Sequence, residues 1–331
     1  MGVGGAITMT RVSVVVPVRN RRDLLAATLD GLENQTYPDF EVVLVDDGST
    51  DGSAELAAGR SIPVRVVRTA GVGAVGARCA GVTEAAGEIL AFTDSDCVPE
   101  EGWIAAGVHA IDKDADVVQG VTLPAGPSAP LERSITHRGP EGLFATCNVF
   151  YRREAYEAAG GFDGTAGGRL GFRAGDEGRA LGFGEDTLLG WRVARTGTSA
   201  IAQDAIVRHA IMKPSVKELL WRAWMTGGFP GLVREAPELR SSLLRQGLFL
   251  GYRRAPIYAM LATAALTRGS LRPLLAGAAF TWWTIARTRY AFRFRGSRKR
   301  RVAAVPVEMA VDAVTAAALV WGSARSRSVV L

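Results

Sequence analysis

Short apolar runs alternate with amphipathic segments along the first part of the chain. The runs are rich in β-branched residues and end at proline or aspartate, a pattern typical of buried strands. The segments between them place leucines and small residues at the spacing of a helix face. The pattern predicts strands at 11–17, 40–45, 64–67, 89–93, 116–121 and 145–151, and helices at 21–33, 73–86, 101–111 and 153–159.

Alternating strands and helices predict an α/β fold with a mostly parallel central sheet that helices cover on both faces. A further helix is predicted after Ser49–Asp51, because small polar side chains there can cap its first N–H groups. Residues 164–184 are rich in glycine and arginine and show little periodicity, so we interpret them as a lid, a binding loop or a mobile segment. A helix that ends near Thr196 follows this loop.

The last part of the chain changes character. Residues 240–331 are predicted to form a helical, basic and apolar region appended to a catalytic domain at 1–239. Of three apolar stretches, those at 255–266 and 273–286 are shorter than the roughly 20 residues of a membrane span. The third, 302–322, is long enough but contains a proline and two acids, Pro306, Glu308 and Asp312. The region therefore fits a segment that lies on a membrane or inserts weakly into it.

Charge is divided unevenly along the chain. The 331 residues contain 39 Lys and Arg and 33 Asp and Glu, a formal net charge of +6. Residues 1–208 sum to −9 and residues 209–331 to +15. The basic end includes an arginine-rich run at 287–301 that is interleaved with aromatic residues and flanked by apolar stretches. This combination favours an anionic membrane surface as partner over nucleic acid, although a solvated basic helix has the same composition.

Cysteine usage and the N-terminus bear on localisation. The three cysteines, Cys79, Cys97 and Cys147, show no metal-ligand spacing and no disulfide framework, which fits a reducing compartment. Residues 1–10 lack the basic and apolar regions of a secretory signal. We therefore expect the protein on the cytoplasmic side of the cell membrane.

Acidic residues follow two of the predicted strands. Asp94-Ser95-Asp96 comes directly after the apolar run 89–93, and Asp46-Asp47 follows the run 40–45. In a parallel sheet these positions share one edge, where ligands bind. Two carboxylates one residue apart can hold a hard divalent cation, Mg²⁺ or Mn²⁺, which neutralises a diphosphate leaving group. Turns that cap the following helices would show the same residues.

Three further residues are candidates for the site. Asp186, at the start of a predicted helix, fits either a general base or a carboxylate that stabilises the helix N-terminus. Arg78, on the predicted helix 73–86, fits either a phosphate ligand or a solvated helix face. His209 fits either a further metal ligand or a structural histidine.

Taken in order, these elements resemble family 2 glycosyltransferases of the GT-A fold. The resemblance covers about residues 11–230 and rests on five segments, Val14–Asn20, Leu44–Asp51, Gly87–Asp96, Gly160–Asp163 and Gly184–Thr187. Each motif alone is weakly specific, whereas the ordered set is highly specific. The resemblance implies an inverting, metal-dependent transfer from a nucleotide-diphosphate sugar to an acceptor hydroxyl.

The resemblance implies a donor pocket around Asp47, which would contact the nucleobase. The turn after the first strand would line the same pocket through Pro17, Val18 and Asn20. Arg78 would belong to this cofactor-binding set. The chain departs from the family here, because an asparagine often follows the matching arginine and this chain has Cys79.

The resemblance also implies a metal site and a base. Asp94 and Asp96 would hold nucleotide and metal, with Asp96 the more direct metal ligand and His209 completing the site. Asp186 would be the catalytic base. Processive members carry a Gln-x-x-Arg-Trp motif that this chain lacks, so we expect transfer of one sugar rather than polymerisation. The acceptor hydroxyl would belong to glycolipid, cell-envelope or polysaccharide synthesis, and the apolar C-terminal region favours a lipid-linked one.

Two other functions compete with this interpretation. A nucleotidyltransferase also combines a doubly wound sheet with paired carboxylates, but the residues after the first strand, 18–21, contain no glycine for a triphosphate loop. A non-catalytic, membrane-bound nucleotide-sugar binding protein would share the fold. The presence of Asp94, Asp96 and Asp186 disfavours that alternative.

Overall fold

The computed structural model describes residues 12–170, 183–266 and 271–331, which divide into two compact units. The first unit contains the described residues of three segments, Met1–Leu123, Ile135–Ala166 and Arg173–Ala210. The second contains those of Pro124–Ser134, Gly167–Phe172 and Ile211–Leu331. Residues 211–239 thus group with the C-terminal helices, whereas the sequence places the boundary after residue 239.

Within the described residues, the first unit is built on one sheet of eight strands. They are β1 (Val12–Val18), β2 (Phe40–Asp46), β3 (Val64–Arg68), β4 (Ile89–Thr93), β5 (Cys97–Pro99), β6 (Val117–Pro124), β7 (Asn148–Arg152) and β8 (Ser199–His209). Their order is β3-β2-β1-β4-β7-β6-β8-β5. Strands β3, β2, β1 and β4 are parallel, whereas β7 runs antiparallel to β4 and β6, and β5 antiparallel to β8. The parallel half carries the predicted acidic strand ends.

In the part of the chain that the structure describes, six helices precede or follow these strands. They are α1 (Arg22–Glu33), α2 (Gly73–Glu84), α3 (Trp103–Asp112), α4 (Arg153–Ala158), α5 (Ala166–Arg169) and α6 (Glu185–Thr196). The predicted loop at 164–184 therefore contains the short helix α5, and its residues 171–182 lie outside the described part of the chain.

Side chains of the parallel strands alternate between two hydrophobic clusters. Val14 and Leu44 belong to the cluster that includes α1 and α3, whereas Val15 and Val45 belong to the one that includes α2 and α6. Both faces are thus covered, which is why these strands are apolar at nearly every position. Helix α2 approaches the sheet closely at Gly81, where a Cβ would lie 2.5 Å from Cγ1 of Val15. The predicted α/β architecture is confirmed.

The helix predicted after Ser49–Asp51 is wrong: the chain there turns and then forms one short 3-10 helix, Ala54–Ala57. The expected capping groups are used elsewhere. One carboxylate oxygen of Asp51 accepts from the backbone N–H of Arg22, and the other accepts from Ser53. Gly52, at φ +78°, then turns the backbone out of the helical region.

The second unit is helical. Its helices are α7 (Val216–Met225), α8 (Phe229–Glu235), α9 (Leu239–Ser242), α10 (Ala255–Leu266), α11 (Leu271–Ala291) and α12 (Arg298–Ser326). Helix α12 packs against α7, α8, α10 and α11. Two 3-10 turns, Thr226–Gly228 and Tyr252–Arg254, connect these helices.

The two acids of α12 are buried in ion pairs within the second unit. Arg133 lies 2.7 Å from Glu308, measured from Nη2 to Oε1, and Arg253 contacts the same carboxylate. Asp312 pairs with Arg253 at 3.1 Å and with Arg287 at 3.1 Å. Both acids are 1% exposed. The charges that interrupt the apolar stretch 302–322 therefore face the interior of the unit.

Within the described residues, α12 is also the helix that is long and apolar enough to cross a membrane. Its most apolar 18-residue window has a mean hydropathy of 1.7, and 39% of that window is buried. A core helix of the same length would meet this criterion too.

Candidate functional site

A cavity of about 320 Å³ opens where β1, β2 and β4 end and α2 begins. Its size is in the range of small-molecule sites. Six residues predicted from the sequence line it, Pro17, Val18, Asp47, Arg78, Asp94 and Asp96. The position agrees with the rule that parallel sheets bind ligands at the carboxyl ends of their strands.

Asp47 is buried at the wall of this cavity and fixes the loop that leads into α2. Its Oδ1 accepts hydrogen bonds of 2.7 Å from Thr69 Oγ1 and from the Val72 N–H, and its Oδ2 accepts one of 2.9 Å from the Gly73 N–H. Burial alone would raise the pKa of Asp47, but these hydrogen bonds and the nearby Arg19 hold it below its ordinary value. Asp47 therefore stays ionised.

Asn20 is not among the residues that line the cavity in the described part of the chain. Its side-chain oxygen accepts a 2.8 Å hydrogen bond from the Thr50 N–H, and its own N–H donates to Ser49 Oγ. Its φ of 49° lies in the left-handed region that asparagine tolerates better than most residues. In this geometry Asn20 joins the turn after β1 to the turn after β2.

Arg78 is buried between the two predicted acidic sites rather than open to solvent. Its Nη2 donates a 2.7 Å hydrogen bond to Oδ1 of Asp94, and its Nη1 lies 3.9 Å from Oε1 of Glu185. Burial would lower the pKa of Arg78, but these acids raise it above its ordinary value. The guanidinium thus remains charged and joins the end of β4 to the start of α6.

Asp186 lies in the first turn of α6, next to the buried Glu185. Burial and the neighbouring Glu185 raise the pKa of Asp186 to about 7, against the opposing effect of backbone hydrogen bonds and Arg78. Burial likewise raises the pKa of Glu185. A carboxyl that titrates near neutral pH has the acidity expected of a general base.

Asp96 and His209 form a second pair of predicted residues that the fold brings together. Strand β5 pairs with β8 so that Cys97 lies opposite His209, and the Ala210 N–H donates to the Asp96 carbonyl at 2.8 Å. His209 Nε2 lies 3.7 Å from Oδ1 of Asp96. Two residues far apart in the chain therefore meet through one short antiparallel ladder.

The chemistry of this pair fits a divalent cation. His209 Nδ1 donates a 2.7 Å hydrogen bond to the Ala210 carbonyl, which leaves the lone pair of the neutral ring on Nε2, directed to the Asp96 side. The Cys97 thiol lies within 4.8 Å of both ligand atoms. Its hydrogen bond with Cys147, together with burial, raises the pKa of Cys97, so the thiol is a poor ligand. The carboxylate is a ligand that suits Mn²⁺ or Mg²⁺, and the imidazole can bind a divalent transition metal.

Two arginines of the cavity were not predicted as site residues. Arg21 Nη1 lies 3.2 Å from Oδ2 of Asp96, so a side-chain cation already contacts the carboxylate that would bind the metal. Arg19 lines the cavity, and its Nη1 is a buried atom without a hydrogen-bond partner among the described residues. Both arginines stand in the turn after β1, close to the strand ends where the acids lie. This position in the sequence was the signal that could have identified them as site residues.

The sequence matches the family described as "Glycosyl transferase family 2" over residues 13–173. Among curated proteins, it is 32% identical over 205 residues to the glycosyltransferase AglE of Haloferax volcanii, covering 55% of this chain and 66% of AglE. It is 38% identical over 114 residues to the glycosyltransferase GlyG of Streptococcus pneumoniae, covering 33% of this chain and 38% of GlyG. The chain thus matches only part of the length of these relatives.

Two solved structures resemble nearly the whole chain. The first is the mannosyltransferase PcManGT of Pyrobaculum calidifontis in complex with GDP-Man and Mn²⁺, with a TM-score of 0.59 and 22% identity over 96% of this chain and 88% of that one. The second is residues 1–349 of TarS from S. aureus in complex with UDP-GlcNAc, with a TM-score of 0.51 and 16% identity over 96% of this chain and 92% of that one. At these identities the likeness shows the fold, which is the expected GT-A arrangement.

Proposed function

The chain belongs to glycosyltransferase family 2, and from this premise we propose that it transfers one sugar from a nucleotide-diphosphate sugar to an acceptor hydroxyl with inversion. The observation that carries the proposal is the buried Arg78, which contacts Asp94 at the cavity and Glu185 beside Asp186. The Arg78 guanidinium therefore connects the proposed donor site with the candidate base, and all of these residues lie within one compact unit.

The donor would occupy the cavity at the ends of β1, β2 and β4. Asp47 would fix the nucleobase end, and Pro17 and Val18 would line the same pocket. Complexes of PcManGT with GDP-Man and of TarS with UDP-GlcNAc support a nucleotide sugar as the class of donor. Asn20 would act indirectly, because it holds the turn that presents Pro17 and Val18.

Asp96, His209 and Asp94 would hold Mn²⁺ or Mg²⁺. The cation would neutralise the charge that develops on the leaving diphosphate. The pairing of a carboxylate with an imidazole as metal ligands supports this assignment, as does the Mn²⁺ bound in PcManGT.

Asp186 would remove the proton of the acceptor hydroxyl. The acceptor oxygen then attacks the anomeric carbon from the face opposite the diphosphate. The new carbon–oxygen bond forms as the bond to the diphosphate oxygen breaks, and the nucleoside diphosphate leaves with the electron pair. One displacement inverts the anomeric configuration. The raised pKa of Asp186, about 7, suits a base that works near neutral pH.

The acceptor would be a lipid-linked hydroxyl of glycolipid, cell-envelope or polysaccharide synthesis at the cytoplasmic face of the membrane. The net charge of +15 over residues 209–331 and the apolar C-terminal helices support docking on an anionic membrane. Removal of residues 240–331 should release the protein from membranes.

Asp186→Asn tests the assignment of the base. The variant should lose transfer while it binds the nucleotide sugar as tightly as the parent protein, because the donor cavity is unchanged. Glu88→Gln, at an exposed carboxylate, is the matched control and should transfer normally. Near-normal transfer by Asp186→Asn would contradict the mechanism. Mn²⁺-dependent hydrolysis of the donor separates an enzyme from a binding protein, and release of pyrophosphate from a nucleoside triphosphate would instead indicate a nucleotidyltransferase.

A further inference from the structure

Helix α11 is apolar on two opposite faces, and the second unit covers only one of them. The covered face carries Ala279, Trp283, Arg287 and Ala291, which recur every four residues and are buried. The other face carries Leu271, Leu274, Leu275, Trp282 and Ile285. Their spacing of three, four and seven residues places them on one side of a helix. We call these five residues the α11 stripe.

The α11 stripe is strongly exposed for a set of large apolar side chains. Leu274 is 67% exposed, Trp282 51% and Ile285 46%. On the adjacent helix α10, Leu261 is 54% exposed. Isolated apolar residues are common on protein surfaces, whereas a contiguous row of them usually marks a contact with a partner or a membrane.

Polar residues mark one border of the stripe. Thr281, Thr284 and Thr288 lie on the flank of α11, and each hydroxyl donates to the carbonyl four residues earlier. These hydrogen bonds satisfy the hydroxyls inside the helix itself. The flank can therefore lie at the boundary between an apolar and a wet environment.

The stripe leads directly into a band of positive charge. The exposed cations Arg289, Arg293, Arg298, Lys299 and Arg300 follow it along the end of α11 and the start of α12. Residues 239–307 contain no acidic residue at all. The two acids of α12 that come next, Glu308 and Asp312, are buried and paired with arginines of the same unit. The outward cations are thus available to an external anionic partner.

We propose that the α11 stripe is the surface through which this protein enters a single leaflet of an anionic membrane, with the arginine band at the level of the lipid phosphates. This inference deepens the membrane docking of the proposed function and rests on it. The stripe, Leu271–Ile285, is about 22 Å long at 1.5 Å per residue, less than the roughly 30 Å of a hydrocarbon core. Helix α11 therefore lies along the interface.

Helix α12 stays within the protein in this arrangement. To cross a bilayer it would have to expose Glu308 and Asp312 to lipid and separate them from the arginines that neutralise them. Separation of buried ion pairs leaves uncompensated charges in a medium that cannot solvate them. Among the described residues, exposed large apolar side chains are most numerous on α11, so this helix and the adjacent α10 enter the leaflet.

Lipid fits the surface better than nucleic acid does. Nucleic acid would contact the arginine band but would leave the leucines of the stripe in water. A membrane interface accommodates both at once, because apolar side chains enter the acyl region while cations contact headgroups. The tryptophan in the stripe also suits an interface, since its ring is apolar and its N–H remains near water.

The experiment uses the full chain and vesicles of phosphatidylcholine with about one third phosphatidylglycerol, beside vesicles of phosphatidylcholine alone. We expect binding to the anionic vesicles that weakens with salt. Leu274→Glu combined with Trp282→Glu should weaken it at least tenfold. Thr284→Glu, which adds a charge on the polar flank with no stripe residue three, four or seven positions away, should change it less than about threefold. Arg293→Gln and Arg298→Gln should each weaken it about fivefold.

Equal binding by the double variant and the parent protein would overturn the proposal, as would equal affinity for neutral and anionic vesicles. Binding to a single-stranded RNA but not to vesicles would identify nucleic acid as the partner and would also overturn it. Bound protein should transfer to a second population of vesicles, and failure to transfer would indicate that a helix spans the bilayer. Nucleotide-sugar binding, measured in parallel, should be the same in every variant as in the parent protein. Absence of nucleotide-sugar binding by the parent protein would instead refute the proposed function.

Discussion

Asp186→Asn should stabilise the first unit at alkaline pH while it removes the proposed base. The pKa of Asp186 is about 7 in the folded protein, against an ordinary value of 3.8. The folded state thus binds the proton more tightly than the unfolded state, so stability falls as pH rises between these two values. The cost of ionising Asp186 is absent below about pH 4 and fully present above about pH 7.

The size of the effect follows from the shift in pKa. The difference between 3.8 and about 7 corresponds to roughly 4 kcal/mol at 1.36 kcal/mol per pKa unit. Asp186 keeps partial contact with solvent and shares its titration with Glu185, so we expect about half of this, roughly 2 kcal/mol. An asparagine of the same shape carries no charge and avoids this cost.

Hydrogen exchange of the β1 and β4 amides would measure the free energy of unfolding of the first unit separately from the second. The free energy of unfolding of Asp186→Asn should exceed that of the parent protein by about 2 kcal/mol at pH 8.5 and by less than half of that at pH 4. The free energy of unfolding of Glu88→Gln, a change at an exposed position, should stay within about 0.5 kcal/mol of the parent protein's at both pH values. No gain at pH 8.5, or an equal gain at both, would refute the reasoning, because the effect would then not come from ionisation.

Three further predictions concern the same site. Transfer activity should fall as pH drops below about 7, because the raised pKa protonates Asp186 there, and a pH–rate profile without this acidic limb would contradict the base assignment. Arg78→Met should destabilise the first unit by about 3 to 5 kcal/mol in hydrogen exchange, since the acids beside it lose their buried partner, whereas Arg68→Met, at an exposed pair, should cost less than about 1 kcal/mol. His209→Ala should weaken Mn²⁺ binding tenfold or more in calorimetric titration, and the exposed His109→Ala should leave it unchanged.

The parallel half of the sheet and the edge where the acids lie were readable from the sequence. A β-branched run that ends in aspartate indicates where a strand stops, and the same aspartate then lies at the carboxyl end of that strand. For this reason the sequence predicts Asp47, Asp94 and Asp96 at one edge of the sheet, and the structure has a cavity there that all three line. The role of each remains a prediction, because geometry shows position and not chemistry.

Contacts between distant segments were not readable in the same way. Arg78 has the spacing of an ordinary helix residue, and only the packing of α2 on the sheet shows that it is buried between two acids. The polar cluster at Ser49–Asp51 has the composition of a helix cap, but its side chains hold the turn after β1 instead. Glu308 and Asp312 were recognised as interruptions of an apolar stretch, while their arginine partners come from three other segments.

The pairing of β5 with β8 has a consequence for protein synthesis. Asp96 leaves the ribosome long before His209, and the two can meet only after β8, the last strand in the sequence, has taken its place between β6 and the edge strand β5. Contacts so distant in sequence form late, since a long loop must close before they contribute stability. The proposed cation site would therefore be a property of the completed sheet, and Mn²⁺ affinity of nascent chains of increasing length would report when β8 has docked.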